Sequence, residues 1–242
     1  MKNEKTGVTK GLTYSFSHEF DYLSNGFTFN WAKASKDNNR EFSIKASAFI
    51  DQAAATGVPI SSFHYGSGYS SRGKRRYVFT WNESKFPDPK ALNAKFHAQG
   101  MNIVANVKPC LLDDHPDYSI VKAQGGFIHT ADGAPVMEQF WDGVGAHLDF
   151  TNPATIAWWQ ERLQAQVLGY GIDVAWNDNN EYAIMDDDAR CRGFGEAMLV
   201  HRARALHPLL MTRATDEAQR QNNPAEALYT NTRGGPPGLQ RY

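Results

Sequence analysis

Asp178 and Glu181 are the residues whose type and setting best suit chemistry. They close the stretch Gly171–Tyr182, which opens on a short apolar, β-branched run and ends in Asp178, Asn180 and Glu181. An apolar run that stops at carboxylates and amides is the pattern of a buried parallel strand delivering polar groups at its C-terminal end. A carboxylate there either does chemistry or merely ends the strand, and the surrounding chain has to decide. His64, Lys108 and Arg233 also fall at the ends of predicted strands. Polar groups at successive strand ends converge on one mouth when the strands close into a barrel.

The elements that must position these groups follow from periodicity and punctuation. Residues 1–10 are polar and expected to fray. A weakly alternating stretch, 11–17, reads as a first strand, and 18–40 as an ordered loop with its own aromatic packing. Residues 41–56 have helical spacing and stop at Gly57. A strand over 58–63 runs into a Gly/Ser-rich loop from His64 to Gly73. Asp88 and Pro89 form a helix start, cap followed by a first-turn proline, and Gly100 ends that helix. A strand over 101–107 leads to Lys108-Pro109. Residues 110–147 read as a long, loop-rich insertion at the mouth, and loops of that length are usually functional. Asn152-Pro153 starts the most regular helix, with Ile156, Trp159, Leu163 and Val167 on one stripe. The strand to Trp176 follows. Residues 190–206 and 208–221 read as helices, and 228–232 as a last strand. Alternating strands and helices mean βαβ units around a parallel sheet. A doubly wound sheet and a (β/α)8 TIM barrel both fit. The lack of a Gly-rich phosphate loop and the polar strand ends favour the barrel. With five strands visible in 242 residues, the expectation is one partial barrel domain, truncated after about five strands.

Composition removes other classes. A net charge of −1 without basic clustering gives no reason to expect nucleic acid or an anionic membrane as partner. The opening MKNEKTGVTKG lacks a signal-peptide core, and no apolar run approaches spanning length, so a cytoplasmic protein is expected. Cys110 and Cys191 have no zinc-site or disulfide spacing and read as buried reduced thiols. Asp113-Asp114-His115-Pro116-Asp117 and Asp186-Asp187-Asp188 lack the spacing of a calcium loop. No metal and no cofactor are expected.

Trp176-Asn177-Asp178-Asn179-Asn180-Glu181 resembles the Trp-x-Asp-Met-Asn-Glu signature of glycoside hydrolase family 31, which contains α-glucosidases and α-xylosidases. Three further segments are similar to that family and in its order. They are Phe79-Thr80…Phe86-Pro87-Asp88-Pro89, then Asp149-Phe150-Thr151-Asn152-Pro153 with Trp158-Trp159, and Thr232-Arg233…Gly238-Leu239-Gln240-Arg241-Tyr242.

The resemblance implies that Asp178 is the nucleophile of a retaining mechanism, attacking the anomeric carbon to form a covalent glycosyl-enzyme. A second carboxyl about 5–5.5 Å away then serves as acid and base. The substrate would be an oligosaccharide or small α-glycoside. Glu181 reads as a support residue, and Arg233 as a group that holds Asp178 charged or faces the sugar. Lys108 fits an ion pair with Asp178 or Asp149, or substrate contact. His64, Trp141, Asp149 and Trp176 complete the candidate substrate-binding set. Trp141 and Trp176 could stack on sugar faces, Trp176 otherwise packing in the core. His64 is otherwise a satisfied buried histidine, and Asp149 fits sugar binding or helix-terminus stabilisation alike. Departures from the family pattern occur at Gly66, where an Asp that binds the sugar is usual, and at Lys108-Pro109, where Asp-Pro is usual. Others are Trp141-Asp142-Gly143 for Trp-Pro-Gly and Arg233-Gly234-Gly235 for Arg-Ser-Gly. The family's general acid lies in a Trp-x-Gly-Asp segment after Gln-Arg-Tyr, so it is expected to be missing from this chain, and the chain to be inactive as written. A transglycosylase on the same scaffold and a degenerate, non-catalytic carbohydrate-binding barrel are the alternative readings.

Overall fold

A computed structural model describes residues 20–23, 26–29, 41–57, 59–226 and 229–242. The strand expected over 11–17 and the frayed 1–10 lie outside the described residues. Within 18–40, strands β1 (Phe20–Leu23) and β2 (Gly26–Phe29) pair antiparallel, a hairpin where a loop was expected.

The frame that positions the site is a parallel sheet. Its strands are β3 (Ser62–Tyr65), β6 (Asn102–Val107), β10 (Val174–Asn177) and β13 (Asn231–Thr232), in the order β13-β10-β6-β3. Between β3 and β6 lie the short antiparallel strands β4 (Ser71–Arg72) and β5 (Arg75–Arg76). Four of the five expected strands are therefore present and parallel, as a barrel segment requires. Trp176 pairs with Asn106 and with Asn231, and His64 with Val104. Side chains alternate along a strand. This register therefore puts His64, Val104, Asn106, Val174 and Trp176 on one face, and the next residues in step, Lys108, Asp178 and Arg233, beyond the strand ends.

Helices cover the other face. Glu41–Thr56 matches the expected span. Pro89–His97 starts where Asp88 accepts the Ala91 amide at 2.9 Å. Pro153–Gln166 starts where Asn152 accepts the Ala154 amide at 3.0 Å. Its Trp159 is fully buried, donates from Nε1 to Thr215 Oγ1 at 3.0 Å, and so joins this helix to Leu206–Asn222. Phe63 and Tyr65 point outward from β3 into an aromatic cluster. Phe63 stacks on Phe96 at 4.2 Å, and Tyr65 donates to Asn93 Oδ1 at 2.8 Å. Among the described residues no helix is long and apolar enough to cross a membrane.

Two stretches differ from expectation. Residues 110–147 are a small folded unit: β7 (Cys110–Leu112), β8 (Glu138–Gln139) and β9 (Val144–His147) form an antiparallel sheet in the order β7-β9-β8, with a helix at Tyr118–Ala123. Short strands without a clear two-residue period escape pattern reading. Residues 190–206 are likewise largely non-helical. β11 (Arg190–Cys191) pairs antiparallel with β12 (Met198–Leu199), and only Val200–Ala203 is α-helical there before Leu206. Gly193 and Gly195 at positive φ break the helix that composition alone would allow. Cys110 and Cys191 are both free thiols.

Candidate active site

The Asp178 amide donates to Val107 O at 2.9 Å, continuing the β6–β10 ladder one step past the strand and fixing the carboxylate at the sheet's C-terminal end. Its side chain is 10% exposed. Oδ2 accepts from Asn106 Nδ2 at 3.0 Å and from the Lys108 ammonium. Oδ1 accepts from the Asn179 amide at 2.9 Å and from Arg233 Nη1 at 3.3 Å. Burial pushes the Asp178 carboxyl up, but the Lys108 charge and the hydrogen bonds from Asn106, Lys108 and Arg233 outweigh it and hold the carboxyl below its usual value. Asp178 is thus an ionised carboxylate in a partly desolvated place. Lys108 itself moves down, because burial outweighs the stabilising Asp178 charge.

The turn after Asp178 is built to hold Arg233. Asn179 sits at φ +54°, a left-handed conformation that Asn tolerates better than most residues. Asn180, fully buried, donates Nδ2 to Thr232 Oγ1 at 2.9 Å and accepts the Gly234 amide on Oδ1 at 3.0 Å. The Arg233 amide donates to Asn177 O at 2.9 Å. Glu181 receives Arg233 Nε on Oε1 at 2.8 Å, so Arg233 bridges Glu181 and Asp178.

Asp178 opens onto a cleft of about 220 Å³ lined by Gly66, Ser67, Arg76, Asn106, Lys108, Trp141, Trp176, Asn179 and Arg233. A small second lobe of about 40 Å³ shares Arg76, Asn106, Lys108 and Trp141 and runs to Phe140 and Asp142. Trp141 is 64% exposed and stands over the Lys108 ammonium, 5.1 Å from Nζ to the ring centre. The loop carrying it is anchored by Asp142, which takes the Arg76 amide at 3.0 Å and its guanidinium in bidentate fashion, with Nη2 to Oδ1 at 2.8 Å.

Six of the eight residues singled out from sequence therefore meet: Asp178, Lys108, Trp141, Trp176 and Arg233 around the cleft, with Glu181 behind Arg233. Two do not. Asp149 is fully buried and lines neither lobe; its carboxylate accepts from Thr151 N and Oγ1 at 2.9 and 2.6 Å and from Arg192 N at 2.6 Å. Of the two readings for Asp149, sugar binding and helix-terminus stabilisation, this buried geometry at the turn into Pro153–Gln166 fits the second. His64 lies inside the sheet below the mouth, beside Ser62 Oγ at 3.2 Å, and burial lowers its pKa to about 4. It lines neither lobe, because the chain continues past β3 to Gly66 and Ser67 before reaching the mouth. Sequence reading passed over Asn106, which shares a strand face with Lys108, and the Arg76–Asp142 pair, 66 residues apart in sequence and with no local pattern.

The sequence profile of the glycosyl hydrolases family 31 TIM-barrel domain matches residues 20–242. Alpha-glucosidase 2 of Bacillus thermoamyloliquefaciens is 27% identical over 225 residues, which cover 88% of this chain and 27% of that protein. Human neutral alpha-glucosidase C is 32% identical over 119 residues, 47% of this chain and 13% of that protein. The solved structure of the Flavobacterium johnsoniae family 31 dextranase with glucose matches with a TM-score of 0.75 at 17% identity, covering 94% of this chain and 27% of the dextranase. The chain thus spans little more than a quarter of these relatives' length at most. Profile, relatives and fold agree: this chain belongs to glycoside hydrolase family 31, and its residues 20–242 are TIM-barrel domain.

Proposed function

We propose that this chain carries the nucleophile half of a retaining α-glycosidase site. Asp178 attacks the anomeric carbon of a terminal α-linked sugar, the glycosidic C–O bond breaks, and a covalent glycosyl-enzyme forms that water then opens. The observation that carries this reading is the state and place of Asp178: an ionised carboxylate at a strand's C-terminal end, facing a cleft roofed by an exposed tryptophan. Lys108 and Arg233 hold it ionised and oriented, and Trp141 offers a flat apolar face to a sugar ring. Asn179 and Gly66 also line the cleft.

The leaving oxygen needs a proton from a second carboxyl. Among the described residues, two further carboxylates stand near the mouth, and each is occupied by a guanidinium, Glu181 by Arg233 and Asp142 by Arg76, which suits positioning rather than proton delivery. The acid is accordingly proposed to come from outside the described residues, and a site left with Asp178 alone should not cleave unactivated glycosides at an enzymatic rate.

Substrates with a self-sufficient leaving group separate the two halves. An α-glycosyl fluoride needs no strong acid assistance for its first step, so the chain should turn it over with retention of configuration, read from the anomer first formed by NMR. Asp178→Asn should lower that rate by about 10⁴-fold or more, the scale of losing a covalent nucleophile. Inverted product, or an Asp178→Asn variant as active as the parent, would overturn the reading. Acceptor sugar added to the same assay separates hydrolysis from transfer. α-Glucosyl and α-xylosyl fluorides are the first pair to compare, because the relatives include an alpha-glucosidase and an alpha-xylosidase.

A further inference from the structure

Three metal-binding side chains meet in the interior, away from the cleft. Asp149, Cys191 and His207 each offer one ligand atom, and these atoms lie within 4.8 Å of one another. Asp149 precedes the helix Pro153–Gln166, Cys191 ends β11, and His207 is the second residue of Leu206–Asn222. All three are 0% exposed. Neither ring nitrogen of His207 has a hydrogen-bond partner. A neutral imidazole carries one N–H donor and one lone pair, so a fully buried ring with both unmatched is costly unless a further species meets it. None of the three lines the cleft, so a thiol–imidazole–carboxylate arrangement of this kind has no access to substrate and is not a second catalytic centre.

We propose that Asp149, Cys191 and His207, with a buried water as fourth ligand, form a structural site for a divalent transition metal, with zinc the best match to the donors. Thiolate, imidazole and carboxylate are the donor types zinc takes, with bonds of about 2.0–2.3 Å. Tetrahedral geometry on those bonds puts ligand atoms roughly 3.3–3.8 Å apart, so no pair has to close by more than about 1.5 Å on binding. Charge favours the same answer. As the metal–sulfur bond forms, the Cys191 thiol gives its proton to solvent. Thiolate and carboxylate then neutralise the two positive charges, leaving no net charge in a buried place. Asp149 keeps its oxygens oriented through Thr151 and the Arg192 amide, as outer partners of a metal ligand do.

The metal joins three chain segments that no short-range pattern connects. It also bears on the nucleophile's turn: Tyr182, four residues after Asp178, stacks on the His207 ring at 4.4 Å and 14°, and its hydroxyl donates to Leu148 O at 2.7 Å. A fixed His207 fixes the far end of the turn that presents Asp178.

The test is metal content and spectrum of the full chain. Purified from zinc-supplemented medium and desalted, it should carry roughly one zinc per chain by elemental analysis. Grown with cobalt instead, it should show a thiolate-to-cobalt charge-transfer band and the intense visible bands of a four-coordinate site. Cys191→Ser should abolish the charge-transfer band, and His207→Gln should release the metal. Should either variant fold poorly, the parent's own metal content and cobalt spectrum still decide. Parent protein without stoichiometric metal and without the thiolate band would overturn the proposal, and would leave a buried water or a thiol–imidazole hydrogen bond as the filler of the cluster.

Discussion

At the scale of single residues, the site turns on how one carboxylate is kept charged. Asp178 is buried enough that desolvation alone would favour its protonated form, and Lys108, Asn106 and Arg233 reverse that. A group whose folded pKa lies below its unfolded value of about 4 contributes stability that is complete above that value. That contribution disappears as pH falls through the lowered folded pKa. Lys108→Met removes the largest opposing charge while keeping the length of the side chain. It should raise the Asp178 pKa, so the acidic limb of the kcat/KM profile for a glycosyl fluoride moves to higher pH. The acid-unfolding transition moves the same way. An unchanged acidic limb would mean that Lys108 serves only the substrate.

At the scale of elements, the residues 110–147 act as a clamp at the mouth rather than a loose loop. Gly145 on β9 shows how tightly it is made: a Cβ there would stand 2.2 Å from Leu111 O and 2.8 Å from Leu112 Cα on β7. Gly145→Ala should therefore force the β7–β9 pair apart and cost roughly 1–3 kcal/mol or more, read as a fall in the thermal midpoint. Because Trp141 lies between β8 and β9, the same change should also raise KM; an undisturbed midpoint would contradict the tight pairing. The helices with a cap and a proline, at Asp88-Pro89 and Asn152-Pro153, were legible because the cap chemistry is local and carries its own residues. The antiparallel strands β7, β8, β9, β11 and β12 were not. Each is two to four residues long, too short to show a two-residue period, and β7 is defined by a partner distant in sequence, β9. Strand-end polar groups revealed Lys108, Asp178 and Arg233 for the same local reason. The same signal overreached at His64, because a strand end does not say whether its last side chains reach the mouth or stay inside the sheet.

At the scale of the molecule, the described residues form a parallel sheet whose outer strands, β3 and β13, each pair on one side within it. Outer strands with free backbone groups are templates for pairing with another chain. Produced on its own, the chain should self-associate with rising concentration, and sedimentation would show this as a growing weight-average mass. A single monomeric species across the same range would mean that the edges are covered. The metal site proposed for Asp149, Cys191 and His207 also acts at this scale, tying together segments that the sheet alone does not join.

The central claim is that Asp178 forms the covalent bond to the sugar, and trapping tests it most directly. A 5-fluoro glycosyl fluoride forms the glycosyl-enzyme with little need of an acid and slows its breakdown, so peptide mapping can find the label. One label per chain on the peptide containing Asp178, absent from Asp178→Asn, is the predicted result. Label on Glu181, Asp142 or any other carboxylate would contradict the account.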